Sequence, residues 1–307
     1  MSETFRVKFW GVRGSHPAPG KNTVRFGGNT SCVEVRAGKH IIILDAGTGI
    51  IPLGQELART KQLNITILLS HLHHDHTQGF PFFVPAYMPN AHLKIFGPLT
   101  TAEILNTNQS PQLFPIGLNE MNATKDIRSL KETDILTFDS NGVRINASSS
   151  DLETVTVRVY RSYAHPGGVH VYRIEYRGRS LVYATDTEGY VGGDRKLAAF
   201  AHGADLLIHD AQYSEEHYRG QIMGLPSTQG YGHSTTQMAC ELANAAGVRE
   251  LALFHHDPNY VDETVASLEV RARSAFPNVC AAFEGLVIDI GPSMNIYSSF
   301  TVTERAG

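Results

Sequence analysis

The stretch NITILLSHLHHDH, residues 64–76, decides how the rest of the chain is read. Its first half is a short apolar run rich in β-branched residues and predicts a strand. Its second half places His71, His73, Asp75 and His76 on a loop at the C-terminal end of that strand. Imidazole and carboxylate at this density suit zinc. One short loop can serve two adjacent ions, with His71 and His73 on one and Asp75 and His76 on the other. A polar solvated loop with accidental histidines fits poorly, because four of the 15 histidines in the chain (His71, His73, His74 and His76) fall within six positions.

Working outward, the same strand texture recurs at 6–10, 31–37, 40–47 and 93–97, and again at 143–150, 154–162, 169–178, 180–186, 204–210, 250–256 and 281–291. About a dozen strands are expected. Helical patterns lie between them at 50–60, 100–109, 196–204, 234–247 and 262–276. Ser234 or Thr235 is placed to cap the fourth of these helices and Gly247 to end it. Strands come in groups with helices after each group, which predicts an α/β arrangement of sheets covered by outer helices.

Three further strands end in a potential ligand: RSYA before His165, LVYAT before Asp186 and LALF before His255. Each alone is a weak signal, since a lone strand-end His or Asp is more often a cap or a surface residue. Sheet architectures, however, gather strand ends at one rim, where binding sites form. Joined to the loop, the set supplies His71, His73 and His165 for one ion and Asp75, His76 and His255 for the other, with Asp186 as a bridge. His256 follows directly, so the last ligand is open between His255 and His256, with His255 preferred.

The chain has 307 residues, 42% hydrophobic and 18% charged, the composition of a globular protein. Its 26 Lys and Arg against 30 Asp and Glu leave a formal charge of −4, which provides no broad basic field for a nucleic-acid backbone. No apolar run approaches the roughly 18 residues of a membrane span. The opening MSETFRVKFW lacks the features of a secretory signal. Cys32, Cys240 and Cys280 form no pair motif, so a cytoplasmic location is expected. No linker or repeat divides the chain, and 1–307 is taken as one domain. An inserted lobe or lid is expected at about 98–138, where Pro111, Pro115 and Gly117 fall.

With these residues assembled, HLHHDH followed by a His, an Asp and a last His resembles the metallo-β-lactamase superfamily, whose hallmark is HxHxDH. The resemblance extends to LDAGTG (44–49), in which Asp45 matches a structural Asp, to HPGGVHVYRIEYRGRSLVYATDTE (165–188) and to LFHHD (253–257). It implies an αββα sandwich with the site at one edge. Two more signals, IHDAQY (208–213) and GHSTTQ (232–237), resemble motifs of the ribonuclease Z and small-phosphodiesterase branch. Carried over, His233 is the general acid that contacts phosphate, Asp210 is the carboxylate that orients it, and Asp75 counts among the catalytic residues. The opening FWGVRGSHPAPGKNTVRFGGNTSCVEV (9–35) is similar to the same branch and makes Arg13 or Asn29 candidate substrate contacts. Two departures stand out: TDT at 185–187 where the branch often has GDT, and Asp210 where it has Glu.

The expected protein is a metal-dependent hydrolase, foremost a phosphodiesterase with a metal-bridging hydroxide acting on a small diester such as a cyclic nucleotide. Two divalent ions are implied, zinc first, with manganese and iron also compatible. Phe82, Phe83, Tyr87 and Phe114 are candidates to stack a base, against the competing role of packing the lobe. Ribonuclease Z-like tRNA 3′-end processing is the alternative, and a carboxylic ester, lactone or thioester hydrolase with the same dinuclear site is a third. A metal-stabilised binding module without activity is the fourth. No membrane partner is expected, structured nucleic acid is disfavoured by charge, and the resemblance implies a homodimer.

Overall fold

Apolar residues alternate along the first strand, burying Phe5, Val7 and Phe9 on one face, the pattern of a strand that covers a core on one side. The computed structural model describes residues 4–298 apart from 141, 150, 152 and 190–192. Strands β1 (Phe5–Gly11), β2 (Cys32–Ala37), β3 (His40–Leu44), β4 (Asn64–Leu68), β5 (His92–Gly97) and β6 (Thr124–Ser129) build the first sheet. A second sheet takes β7 (Ile135–Asp139), β8 (Gly142–Ile145), β9 (Val155–Ser162), β10 (Val169–Tyr176), β11 (Arg179–Ala184), β12 (Leu206–Asp210), β13 (Glu250–Phe254) and β14 (Val279–Ala281). The chain then returns to the first sheet as β15 (Leu286–Asp289) and β16 (Asn295–Ser298).

The first sheet runs β16-β15-β1-β2-β3-β4-β5-β6 and the second β14-β13-β12-β11-β10-β9-β7-β8. In each, one half is parallel, β3 to β6 in the first and β11 to β14 in the second. Phe9, Leu44, Tyr172, Tyr183 and Phe254 belong to the apolar cluster shared by the two sheets. Helix α1 (Ile50–Arg59) covers the outer face of the first sheet through Leu53 and Leu57. A one-turn helix α2 (His74–Thr77) follows β4, and α3 (Thr101–Asn108) packs beside β6. On the outer face of the second sheet lie α4 (Arg195–Ala201), α6 (Thr236–Ala246) and α7 (Asp262–Ala275), buried there through Leu197, Ala243 and Ala272, and the short α5 (Glu215–Tyr218) sits in the loop between β12 and α6. The architecture is the αββα sandwich.

The differences from expectation have local causes. Of the stretch 98–138, expected as an inserted lobe or lid, the part from 124 onward belongs to the two sheets: β6 pairs in parallel with β5, and β7 pairs with β8 and β9. Its half-exposed edge strand TKDIRS carries no apolar alternation to announce it. The run 281–291 is not one strand, because the chain turns through Gly285, φ +86°, and leaves β14 for β15 in the other sheet. Ser150, the last residue of the strand expected at 143–150, lies outside the described residues. Among the described residues no helix is long and apolar enough to cross a membrane.

Candidate metal centre

Parallel strands point their C-terminal ends to one rim, so the residues that follow β3, β4, β11, β12 and β13 converge. Asp45, Asp186 and His255 follow β3, β11 and β13 and adopt left-handed φ values of 62°, 52° and 64°. Such values cost roughly 1–3 kcal/mol each for a residue with a Cβ and collect where a site demands them. Here they turn the chain sharply off the strand and leave the three side chains buried at the rim. Gly47 allows the metal loop to close against this rim, since a Cβ there would meet the Asp75 carbonyl oxygen at 2.3 Å.

Two donor groups result. His71, His73 and His165 offer ring nitrogens within 4.8 Å of one another, and Asp75, His76, Asp186 and His255 offer carboxylate oxygens and ring nitrogens equally close together. Asp186 stands between them. Its Oδ1 lies 3.7 Å from His71 Nε2 and 3.8 Å from His165 Nε2, and its Oδ2 lies 3.2 Å from His76 Nε2 and 3.3 Å from His255 Nε2. Asp75 Oδ2 is 3.1 Å from His255 Nε2 and accepts the Ser15 backbone N–H at 2.7 Å. The structure thus brings together every residue of the expected ligand set.

The partners of the rings decide which nitrogen faces the centre. Asp45 accepts from the Ser70 N–H and hydroxyl, both at 2.7 Å, from Tyr183 at 2.8 Å and from His76 Nδ1–H at 2.8 Å. Because the Ser70 hydroxyl is donated to Asp45, its oxygen accepts from His71 Nδ1–H at 3.1 Å. His165 Nδ1–H donates to the Gly232 carbonyl at 3.0 Å, and His255 Nδ1–H to Gln212 Oε1 at 2.9 Å. Four rings are therefore held by Nδ1 with Nε2 turned inward, the usual way that outer partners orient metal-binding histidines.

These donors fit divalent cations. Among the described residues, His71 Nε2 is buried without a hydrogen-bond partner, a state that costs free energy unless a further group satisfies it. Burial pushes His71 and His165 below the ordinary imidazole range, which favours the neutral form that ligates metal. For His76, burial opposes the charge, but Asp75, Asp186 and Asp45 outweigh it and hold its proton well above the usual value. Burial alone would raise Asp186; His255, His76 and His71 bring it well below the carboxylate range. The second group is thus an anionic pocket suited to a cation.

Beside it, Asp210 Oδ2 accepts from His233 Nδ1–H at 2.8 Å, while its Oδ1 accepts the N–H groups of Ser234 at 2.9 Å and Gln212 at 3.2 Å. The His233 ring stacks on His255 with centroids 5.1 Å apart. Burial lowers the His233 pKa, but the charge and hydrogen bond of Asp210 more than offset this and hold it up at about 9. Asp210 and His233 also lie within ligand distance of Asp186 and His255.

Other candidates fall elsewhere. Arg13 is fully buried and donates to the carbonyls of Gly27, Asp257 and Tyr260, and Asn29 is tied to Glu284; both secure the strand-end loops. His256 bonds the Ala282 carbonyl and packs on Phe26, whereas His255 faces the donors. His209 Nδ1–H donates to the Asp210 carbonyl at 2.7 Å, and His74 is exposed. Phe83 is core, while Phe82 is half exposed and meets Phe114 edge to face. The sequence alone did not point to Ser70 and Gln212, which hold the rings of His71 and His255, or to Tyr183, which bonds Asp45; apart from their places in SHLHHDH, LVYATD and IHDAQ, nothing marks them.

A family model for the Beta-lactamase superfamily domain matches residues 40–256. Ribonuclease Z of Picrophilus torridus is 25% identical over 297 residues, covering 85% of this chain and 89% of that protein. Ribonuclease Z of Mycobacterium avium is 29% identical over 241 residues, covering 74% and 79%. The metallo-beta-lactamase fold protein YhfI from Bacillus subtilis superposes with a TM-score of 0.68 at 19% identity, covering 94% of this chain and 100% of that one. The converging strand ends, the donors they carry and this match place the chain in the β-lactamase superfamily domain family, as a metal-dependent hydrolase.

Proposed function

We propose that the protein is a phosphodiesterase acting on a small phosphodiester such as a cyclic nucleotide. The observation that carries this reading is the Asp210–His233 pair, bonded at 2.8 Å beside the two donor groups. His71, His73 and His165 would hold one divalent ion and Asp75, His76 and His255 the other, with Asp186 between them; zinc is the proposed metal on the strength of imidazole and carboxylate donors. When bound, such ions supply Lewis acidity and an activated water. The Nδ1–H of His233 is occupied by Asp210, so its Nε2–H is the proton available to a departing alkoxide, and Asp210 keeps the ring oriented and charged. Asp75, held by the Ser15 N–H, completes the catalytic carboxylates. An open cleft of about 640 Å³ lined by Tyr163, His165, Glu188 and Gly230 offers room on the scale of a small ligand.

The ribonuclease Z relatives favour a second reading, cleavage of a tRNA precursor at its 3′ end; the formal charge of −4 favours the small diester. A matched panel separates the readings: cyclic nucleotides, an activated phosphodiester, a tRNA precursor and an activated carboxylic ester, each before and after chelation. Diester turnover that is lost with the metal and restored by adding it back supports the proposal. Processing of the precursor with small diesters untouched replaces it with the second reading, and ester-only turnover removes His233 and Asp210 from the mechanism. A cytoplasmic location, suggested by the three unpaired cysteines, and a homodimer belong to the same proposal; sedimentation reads the latter.

A further inference from the structure

Glu188, two residues beyond Asp186, lies outside both donor groups, yet its carboxylate is fully engaged. Oε1 accepts from the Tyr218 hydroxyl at 2.6 Å and the Gly230 N–H at 2.7 Å, and Oε2 accepts the Gly232 N–H at 2.9 Å. Gly232 in turn presents its carbonyl to His165 Nδ1–H at 3.0 Å. It does so at φ +88°, and a Cβ there would stand 2.3 Å from His165 Nδ1 and 2.8 Å from Pro166 Cδ. The turn is thus pressed against the ring by a close approach that only glycine permits, and the Glu188 carboxylate holds that turn in place from behind.

We propose that Glu188 is a positioning residue for the ion at His71, His73 and His165: it fixes the 230–232 turn so that the Gly232 carbonyl locks His165 with Nε2 facing the metal site. The inference rests on His165 being a ligand. A backbone carbonyl selects the tautomer and sets the angle of the ring, and its own position is set by the carboxylate on the preceding N–H groups. The second donor group, Asp75, His76 and His255, takes no orientation from this turn: His76 is held by Asp45 and His255 by Gln212. The effect of Glu188 therefore falls on one ion and not the other.

Glu188→Gln tests this. With its amide oxygen toward Tyr218 and Gly230, the amide NH₂ opposes the Gly232 N–H, which releases one bond of the three. Zinc binding is measured by competition with a chromophoric chelator, and bound zinc is quantified elementally. Wild type is expected to hold two ions; Glu188→Gln should hold one at wild-type affinity and the other roughly 10- to 100-fold more weakly. Tyr218→Phe, which keeps both glycine bonds, should leave both affinities unchanged. Unchanged binding in Glu188→Gln, equal weakening at both sites, or the same loss in Tyr218→Phe each overturns the proposal. A wild type that binds no zinc instead overturns the metal-site assignment. Should Glu188→Gln not fold, Glu188→Asp, whose carboxylate falls one methylene short of the turn, takes its place: selective weakening of the ion at His71, His73 and His165 supports the proposal, and unchanged or equally weakened binding at both sites overturns it.

Discussion

At the scale of single residues, the Asp210–His233 pair separates phosphodiester cleavage from the other hydrolyses the same centre allows. A general acid contributes typically 10²- to 10⁴-fold when the leaving group is a poor one. His233→Ala is therefore expected to lower turnover of an alkyl phosphodiester by about that range, while a nitrophenyl ester of the same phosphate loses little; equal losses on both substrates would count against proton donation. The pH dependence carries a sign. The Asp210 carboxylate holds the His233 pKa up at about 9, and the acid must be protonated to act, so its contribution is present at lower pH and fades as pH rises through that value. The alkaline limb of the rate profile should disappear in His233→Ala, and a limb that persists assigns it to another group.

At the scale of elements, the helix that begins three residues after His233 anchors that residue's strand-end loop to the second sheet. Thr235 caps α6 by accepting the Met238 N–H at 3.2 Å, and Gly247 ends it in the left-handed conformation, φ 60°. Of the two residues expected to cap, Thr235 does so, while the Ser234 hydroxyl is donated to the Thr187 carbonyl. Thr235→Ala should cost about 1 kcal/mol, read as a lower midpoint in urea at unchanged slope; an unmoved midpoint would show that tertiary contacts, and not the cap, set the start of the helix. Helix ends were legible because capping is a contact between residues two or three apart. Two edge strands were not: β6 is half-exposed and β16 exposed, and neither carries the apolar alternation by which a strand is recognised.

At the scale of the whole molecule, residues from both sheets meet at one rim, so ligand binding and stability are linked. Ions that bind only the folded chain add roughly 2.7 kcal/mol per site at a hundredfold excess over Kd; chelation should lower Tm and zinc restore it, and a Tm indifferent to both would refute the linkage. A second dependence comes from His170, buried at the start of β10, whose pKa is lowered to about 4 by burial, with Arg161 adding to the effect. Its folded value lies below the unfolded one of about 6.5, so the unfolded chain takes up the proton first. The stabilising effect is complete above pH about 6.5 and declines as pH falls from there towards 4, by at most about 1.4 kcal/mol per unit. His170→Gln should flatten stability against pH across that window; an unchanged slope would assign the acid sensitivity to other groups. The αββα fold and the donor residues were readable along the chain because strand periodicity and the HxHxDH spacing are local patterns, and the strand-end acids and histidines carry their context with them. The tautomers of four histidines, the placing of His255 and not His256 among the donors, which the sequence had left open, and the hold of Glu188 on Gly232 were decided only by tertiary structure. Each depends on contacts between residues far apart in the chain, such as His76 with His255 or His165 with Gly232, which exist only once the parallel halves of both sheets bring their strand ends together.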